Sequence, residues 1–208
     1  RLPVYMLLDC SGSMSGEPIE AVRSGLKYLL SELKGDPQAL ETVWLSVITF
    51  SSRAKQTVPL TELMHFQEPT IDASGSTSLG AALDLLGTCI ETEVKKTTPT
   101  QKGDWKPLVF LMTDGEPTDS WERAADEIKK KKPGNIIACG AGANVRSDTL
   151  RRITEVVVMM NNYTPDTFKA FFKWVSASVA ATSQKVSEPG EQPVNLPPPP
   201  KDIVIVPF

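Results

Sequence analysis

The chain has 208 residues, which suits one domain around one core and leaves little room for a second. A hydrophobic fraction of 40% beside 23% charged residues describes an ordinary globule, and a net charge of −3 lacks the basic footprint of a nucleic-acid binder. No apolar run approaches the roughly 20 residues of a membrane span, and three scattered cysteines without a C-x-x-C fit a reducing compartment, so a cytoplasmic protein is expected.

Val4 to Leu8 is a continuous apolar run ending at Asp9, the pattern of a strand buried on both faces. Cys10 to Gly16 is a serine- and glycine-rich loop. Pro18 then suits the first turn of a helix, and Ile19, Val22, Leu26, Leu29, Leu30 and Leu33 recur at helical spacing until Gly35-Asp36-Pro37 stops it. Val43 to Phe50 is a second strand, and Ser51-Ser52-Arg53 turns it into a more polar strand near Ala54 to Leu60, so the pair reads as a hairpin. Residues 72–77 are small and polar, followed by a helix from about Ser78 to Lys96 and a hydrophilic loop from Thr97 to Lys106.

Leu108 to Met112 is a third buried strand, running into Thr113-Asp114-Gly115. A helix from about Asp119 to Lys131 follows, and its basic end, Lys129 to Lys132, places cations at the negative pole of the helix dipole. Next come a strand at Ile136 to Gly140, a short helix near Asp148 to Thr154 and a strand at Val156 to Met160. Thr164 can cap a last helix that has Pro165 at its first position and runs to about Ala181. Strands alternating with helices predict an α/β fold. Its central sheet is doubly wound and mostly parallel, with helices on both faces and one antiparallel edge strand.

Residues 1–182 form the predicted domain, and 183–208 a Pro-rich tail. Pro197 to Pro200 favours an extended polyproline segment, and a β-prone patch begins at Ile203. The tail is expected to fold back onto its own domain; docking on another protein's sheet edge is the alternative.

In doubly wound sheets, ligands sit at the carboxyl ends of the strands. Three stretches there carry hard oxygen donors: Asp9-Cys10-Ser11-Gly12-Ser13, Gly75-Ser76-Thr77-Ser78 and Thr113-Asp114-Gly115. Two carboxylates and three hydroxyls, without a thiol pair or histidine beside them, suit Mg²⁺, Ca²⁺ or Mn²⁺ better than Zn²⁺. Asp9, Ser11 and Ser13 alternate with Cys10 and Gly12, so an extended stretch would point all three to one side.

D-x-S-x-S after the first strand, the threonine of G-S-T-S-L-G, and T-D-G after a later strand together resemble the metal-ion-dependent adhesion site of von Willebrand factor A domains, over roughly residues 3–181. The resemblance implies that Ser11, Ser13 and Thr77 touch the metal, and that Asp9 and Asp114 reach it directly or through water. A Glu or Asp of a partner protein would fill the remaining position. R-L-P-V-Y-x-L-L-D, S-G-S-M-x-G-E-P-I-E-A-V and P-L-V-F-L-M-T-D-G-x-P-T-D-x-W further resemble TerY-type proteins of bacterial tellurite-resistance clusters. That implies a cytoplasmic metal-binding adaptor encoded beside a kinase-like protein and a protein phosphatase. Cys10 stands where many A domains have Thr or another small residue.

Other motifs fall away. Gly75 to Gly80 has the glycine spacing of a P-loop, but Ala81-Ala82 replaces its Lys-Ser/Thr. Met14 stands where a G-x-S-x-G nucleophile would be, and His65 is the only histidine. The expected function is a non-enzymatic, Mg²⁺-dependent protein-binding module without nucleic-acid or membrane contact. The alternative is a Mg²⁺-dependent phosphatase or phosphotransferase with Asp9 as nucleophile; position 11, a serine, offers it no second carboxylate as general base.

Overall fold

The computed structural model describes residues 1–142, 144–160, 164–185, 196–201 and 203–206. The strands are β1 (Leu2–Asp9), β2 (Val43–Phe50), β3 (Ala54–Glu62), β4 (Leu108–Thr113), β5 (Asn135–Ala141), β6 (Val156–Met160) and β7 (Ile203–Ile205). The helices are α1 (Glu17–Gly35), α2 (Pro37–Thr42), α3 (Leu79–Glu93), α4 (Glu122–Lys131), α5 (Ser147–Ile153) and α6 (Pro165–Lys185). One sheet holds all seven strands in the order β3-β2-β1-β4-β5-β6-β7. Strands β2, β1, β4, β5 and β6 run parallel, and β3 and β7 are antiparallel edges.

Continuous apolar strands are needed because both faces are covered. In β1, Val4, Met6 and Leu8 enter the core under α1, α2 and α6, while Tyr5 and Leu7 enter the core under α3, α4 and α5. β4 divides the same way, with Phe110 and Met112 on one side and Val109 and Leu111 on the other. Helices α1 and α6 approach so closely that a Cβ on Gly25 would lie 2.0 Å from the Phe172 ring. The chain leaves β1 for β2 on one side and returns to β4 on the other. This is a topological switch point, the place where doubly wound sheets bind ligands at the strands' carboxyl ends.

Several boundaries differ from the sequence reading for identifiable reasons. Gly35-Asp36-Pro37 ends α1 but also starts α2, because the Asp36 carboxylate accepts from the N–H groups of Gln38 (2.9 Å) and Ala39 (3.1 Å). Helix α3 stops at Glu93, since Lys95 is drawn into a loop by two bonds with Asp104: Lys95 N–H to the carboxylate (2.7 Å) and Asp104 N–H to the Lys95 carbonyl (2.9 Å). Helix α4 starts at Glu122 rather than near Asp119, whose side chain is engaged elsewhere. Helix α6 begins as expected, with Thr164 Oγ1 accepting from Thr167 N–H at 3.3 Å, but continues to Lys185.

A second antiparallel edge was not expected. β7 pairs with β6 in the register Val158↔Ile205, Met159↔Val204 and Met160↔Ile203. The Trp174 indole N–H donates to the Pro197 carbonyl at 2.8 Å, and Leu196 packs on the core, so the strand reaches the sheet edge over α6. The Glu- and Gln-rich stretch 187–195 lies outside the described residues. Among the described residues, no helix is long and apolar enough to cross a membrane.

Candidate metal centre

Asp9 is the last residue of β1 and Thr113 the last of β4, next to it in the sheet. Asp9 is 0% exposed, and both its carboxylate oxygens are engaged. Oδ1 accepts from Ser11 N–H at 2.8 Å and Oδ2 from the Thr113 hydroxyl at 2.5 Å. Cys10 is held on both sides, its N–H donating to Phe50 O and its carbonyl accepting from Ser74 N–H, each at 2.8 Å.

Ser11 to Ser13 is not the extended stretch that the alternation suggested. Met14 N–H donates to Ser11 O and Ser15 N–H to Gly12 O, which closes a 3-10 turn over Gly12–Met14 and buries Met14. The turn still gathers the hydroxyls. Ser11 Oγ and Ser13 Oγ lie 3.0 Å apart, and Ser13 Oγ donates to Asp114 Oδ1 at 2.8 Å. Asp9, Ser11, Ser13 and Asp114 thus form one hydrogen-bonded cluster bridging the loops after β1 and β4.

The loop before α3 is pressed against the first. Gly12 N–H donates to Gly75 O at 2.8 Å, and a Cβ on Gly12 would come within 3.2 Å of that oxygen. Gly75 has φ +78°, and a Cβ there would meet Ser52 Oγ at 2.3 Å, so glycine is required twice over. Thr77, 6% exposed, is bound through its backbone to Thr118, with its N–H on Thr118 Oγ1 (3.1 Å) and its carbonyl on Thr118 N–H (2.9 Å). Its hydroxyl lies 3.6 Å from where a Gly115 Cβ would stand, alongside the third loop. Ser76 turns away to Ser52.

Burial raises the Asp9 carboxyl above its ordinary pKa against the pull of the Thr113 and Ser11 bonds. Burial also raises Asp114, 2% exposed; Ser13 opposes this, and the Asp9 charge adds to it. Two adjacent buried carboxylates that resist ionising, ringed by hydroxyls, fit a hard divalent cation, which stabilises the charged form of both. The donor chemistry excludes a soft site. Cys10 is buried with its thiol toward Leu8 O, and burial pushes its pKa up to about 12. Among the described residues, no cluster of three or more His, Cys, Asp or Glu could hold a metal.

Sequence reasoning placed Thr113 in the third donor stretch without foreseeing its bond to Asp9, and it missed Thr118 and Asp119. Asp119 accepts from Gly80 N–H (3.1 Å) and Ala81 N–H (3.0 Å) at the start of α3. Their only signal is position within T-D-G-x-P-T-D.

Residues 4–175 match the von Willebrand factor type A domain family. An uncharacterised protein of Synechocystis sp. is 31% identical over 125 residues, 56% of this chain and 26% of that protein. The fold superposes on a von Willebrand factor type A protein from Catenulispora acidiphila with a TM-score of 0.67 at 19% identity, covering 86% of this chain and 43% of that one. Proximal thread matrix protein 1 from the mussel byssus, solved with a zinc-occupied MIDAS motif, gives 0.60 at 18% identity, covering 88% and 46%. The chain therefore spans about a quarter of that curated relative and under half of either structure.

Proposed function

The chain belongs to the von Willebrand factor type A family, and we propose that it is a metal-dependent protein-binding module whose cation is held by Asp9, Ser11, Ser13, Thr77 and Asp114. The observation carrying this reading is the Asp9–Ser11–Ser13–Asp114 cluster at the carboxyl ends of β1 and β4. Two buried carboxylates balance a divalent charge, and neutral hydroxyls complete the donor set without adding repulsion. Mg²⁺ suits these hard oxygens, as do Ca²⁺ and Mn²⁺. The mussel protein, similar in fold, was solved with a zinc-occupied MIDAS motif, which supports a metal-binding reading.

When bound, the cation supplies a Lewis-acidic position for a carboxylate of a partner protein. A charge-assisted contact of this kind gains strength when closure excludes water. The finer reading is a cytoplasmic adaptor in bacterial tellurium-resistance or stress-response signalling, engaging a kinase-like protein or a protein phosphatase. The R-L-P-V-Y-x-L-L-D and T-D-G-x-P-T-D-x-W stretches support it. Against turnover by an aspartyl-phosphate route, Asp9 is fully buried with both oxygens already accepting hydrogen bonds.

Affinity capture from bacterial lysate in Mg²⁺, in EDTA and with Asp114→Ala tests the proposal. Partner capture should depend on both the cation and Asp114, and capture indifferent to either would overturn it. Hydrolysis of p-nitrophenyl phosphate should stay at background.

A further inference from the structure

Between Asp114 and α4, the segment 116–119 sends each of its three polar side chains to a different place. The Glu116 carboxylate accepts from Arg146 N–H (2.6 Å) and from the Thr149 hydroxyl (2.8 Å) at the start of α5. Thr118 pairs with the Thr77 backbone in both directions, and its hydroxyl also approaches the Thr77 carbonyl at 3.2 Å. Asp119 spreads its two oxygens over the N–H groups of Gly80 and Ala81, the second and third residues of α3.

Helix α3 thus takes its cap from another part of the chain. Ser78 holds the N-cap position yet makes no side-chain cap bond, and the acceptor comes from a residue 39 positions beyond Gly80. Sequence and packing agree on this docking. A Cβ on Gly80 would lie 2.8 Å from Trp121 Cα and 3.0 Å from Asp119 Oδ2, so only glycine lets the two segments approach. The carboxylate also sits at the positive pole of the α3 dipole.

Thr77 lies at the centre of these attachments, gripped by Thr118 through its own backbone and followed by the turn that Asp119 fixes. We infer that Thr118 and Asp119 are positioning residues for the cation site, holding the Thr77 hydroxyl in place relative to Asp114. The inference rests on the cation reading above. The first and second loops are joined through Gly12 to Gly75 and through Ser74 to Cys10; Thr118 supplies the join between the second and the third. An ion that demands near-ideal octahedral geometry penalises slack in any one donor, so a residue that touches no metal sets affinity through one that does.

Mn²⁺ titration of the full chain, followed by electron paramagnetic resonance of the free ion, tests this. Asp119→Asn keeps one acceptor oxygen and turns an amide toward a helix N–H. Thr118→Val keeps the shape and removes the hydroxyl. Each should weaken Mn²⁺ binding on the order of tenfold, while Thr118→Ser, which restores the hydroxyl, should stay near the parent. In a Thr77→Ala background, Asp119→Asn should add less than about twofold, because its effect passes through the lost hydroxyl. Amide exchange at Gly80 and Ala81 should accelerate in Asp119→Asn. A Kd unchanged in Asp119→Asn and Thr118→Val, or an Asp119→Asn effect that adds fully to Thr77→Ala, would overturn the inference. If Asp119→Asn fails to fold, Thr118→Val and Thr118→Ser carry the same test. A parent chain that binds no Mn²⁺ overturns the cation reading itself, and the inference with it.

Discussion

Replacing EDTA by a divalent cation probes the site through its electrostatics. Asp9 and Asp114 are 0% and 2% exposed, and burial raises both carboxyls, with the Asp9 charge adding to the shift at Asp114. A carboxylate whose folded-state pKa is raised costs stability above that pKa, and the cost vanishes as falling pH protonates it. In EDTA, this pair should therefore make the fold more stable as pH falls through the raised folded-state values towards the unfolded carboxyl value of about 3.9. A cation present at 100 times its Kd adds about 2.7 kcal/mol. A domain of this size gains roughly 2–4 °C per kcal/mol, so Tm should rise by about 5–11 °C. Protons compete for the same oxygens, so the increment must shrink in acid. Asp114→Asn keeps an acceptor for Ser13 while deleting one charge. It should be at least as stable as the parent in EDTA at neutral pH, yet gain little from Mg²⁺. Thermal unfolding followed by circular dichroism reads all four conditions. A Tm indifferent to saturating Mg²⁺, or a variant that responds like the parent, would refute the reasoning.

Gly75→Ala forces an L side chain to φ +78° and sets a Cβ 2.3 Å from Ser52 Oγ. The backbone share alone costs about 1–2 kcal/mol in urea unfolding; adding Ser52→Ala should recover only the steric share, and full recovery would contradict this account. Trp174→Phe removes the bond to Pro197 O, worth about 1 kcal/mol, and should speed amide exchange along β6 where β7 pairs with it; unchanged exchange would show that the tail needs no such anchor. Burial would raise Asp104, but the paired hydrogen bonds of Arg1 and that of Lys95 N–H hold its carboxyl below its ordinary value. A depressed carboxyl stabilises above its unfolded pKa of about 3.9 and loses that contribution as pH falls through the folded one. The acid limb of Asp104→Asn should therefore be shallower below about pH 4, and an identical limb would refute the pairing.

Most of the fold was legible because burial on both faces removes alternation from a strand. Val4 to Leu8 and Leu108 to Met112 could hardly be surface strands, and each runs straight into an aspartate or a Thr-Asp pair. Misreadings fell where one residue serves two elements. Asp36 both follows α1 and caps α2, so a local stop signal concealed a start. The second antiparallel edge was hidden for a different reason. Three β-prone residues, Ile203 to Ile205, carry no preference for a partner strand; β6 is selected by tertiary contacts that include the Trp174 anchor.

The site was legible as an order of residue types and hidden as a mechanism of support. Asp9, Ser11, Ser13 and Asp114 meet because β1 and β4 are neighbours at the switch point, a consequence of topology that their spacing does not encode. How the hydroxyls converge also escaped local reasoning: a 3-10 turn, enforced by burying Met14, replaces an extended run and still brings Ser11 to Ser13. The Asp119 cap is the extreme case. In sequence, a threonine and an aspartate after Thr-Asp-Gly look like the next helix's own start, and their partners at Thr77, Gly80 and Ala81 lie roughly 40 residues away. Residues that would touch an ion can be found by chemical type, because the ion restricts which atoms serve. Residues that hold those ligands need only accept a hydrogen bond, which many side chains do, so only the fold reveals which of them were placed for it.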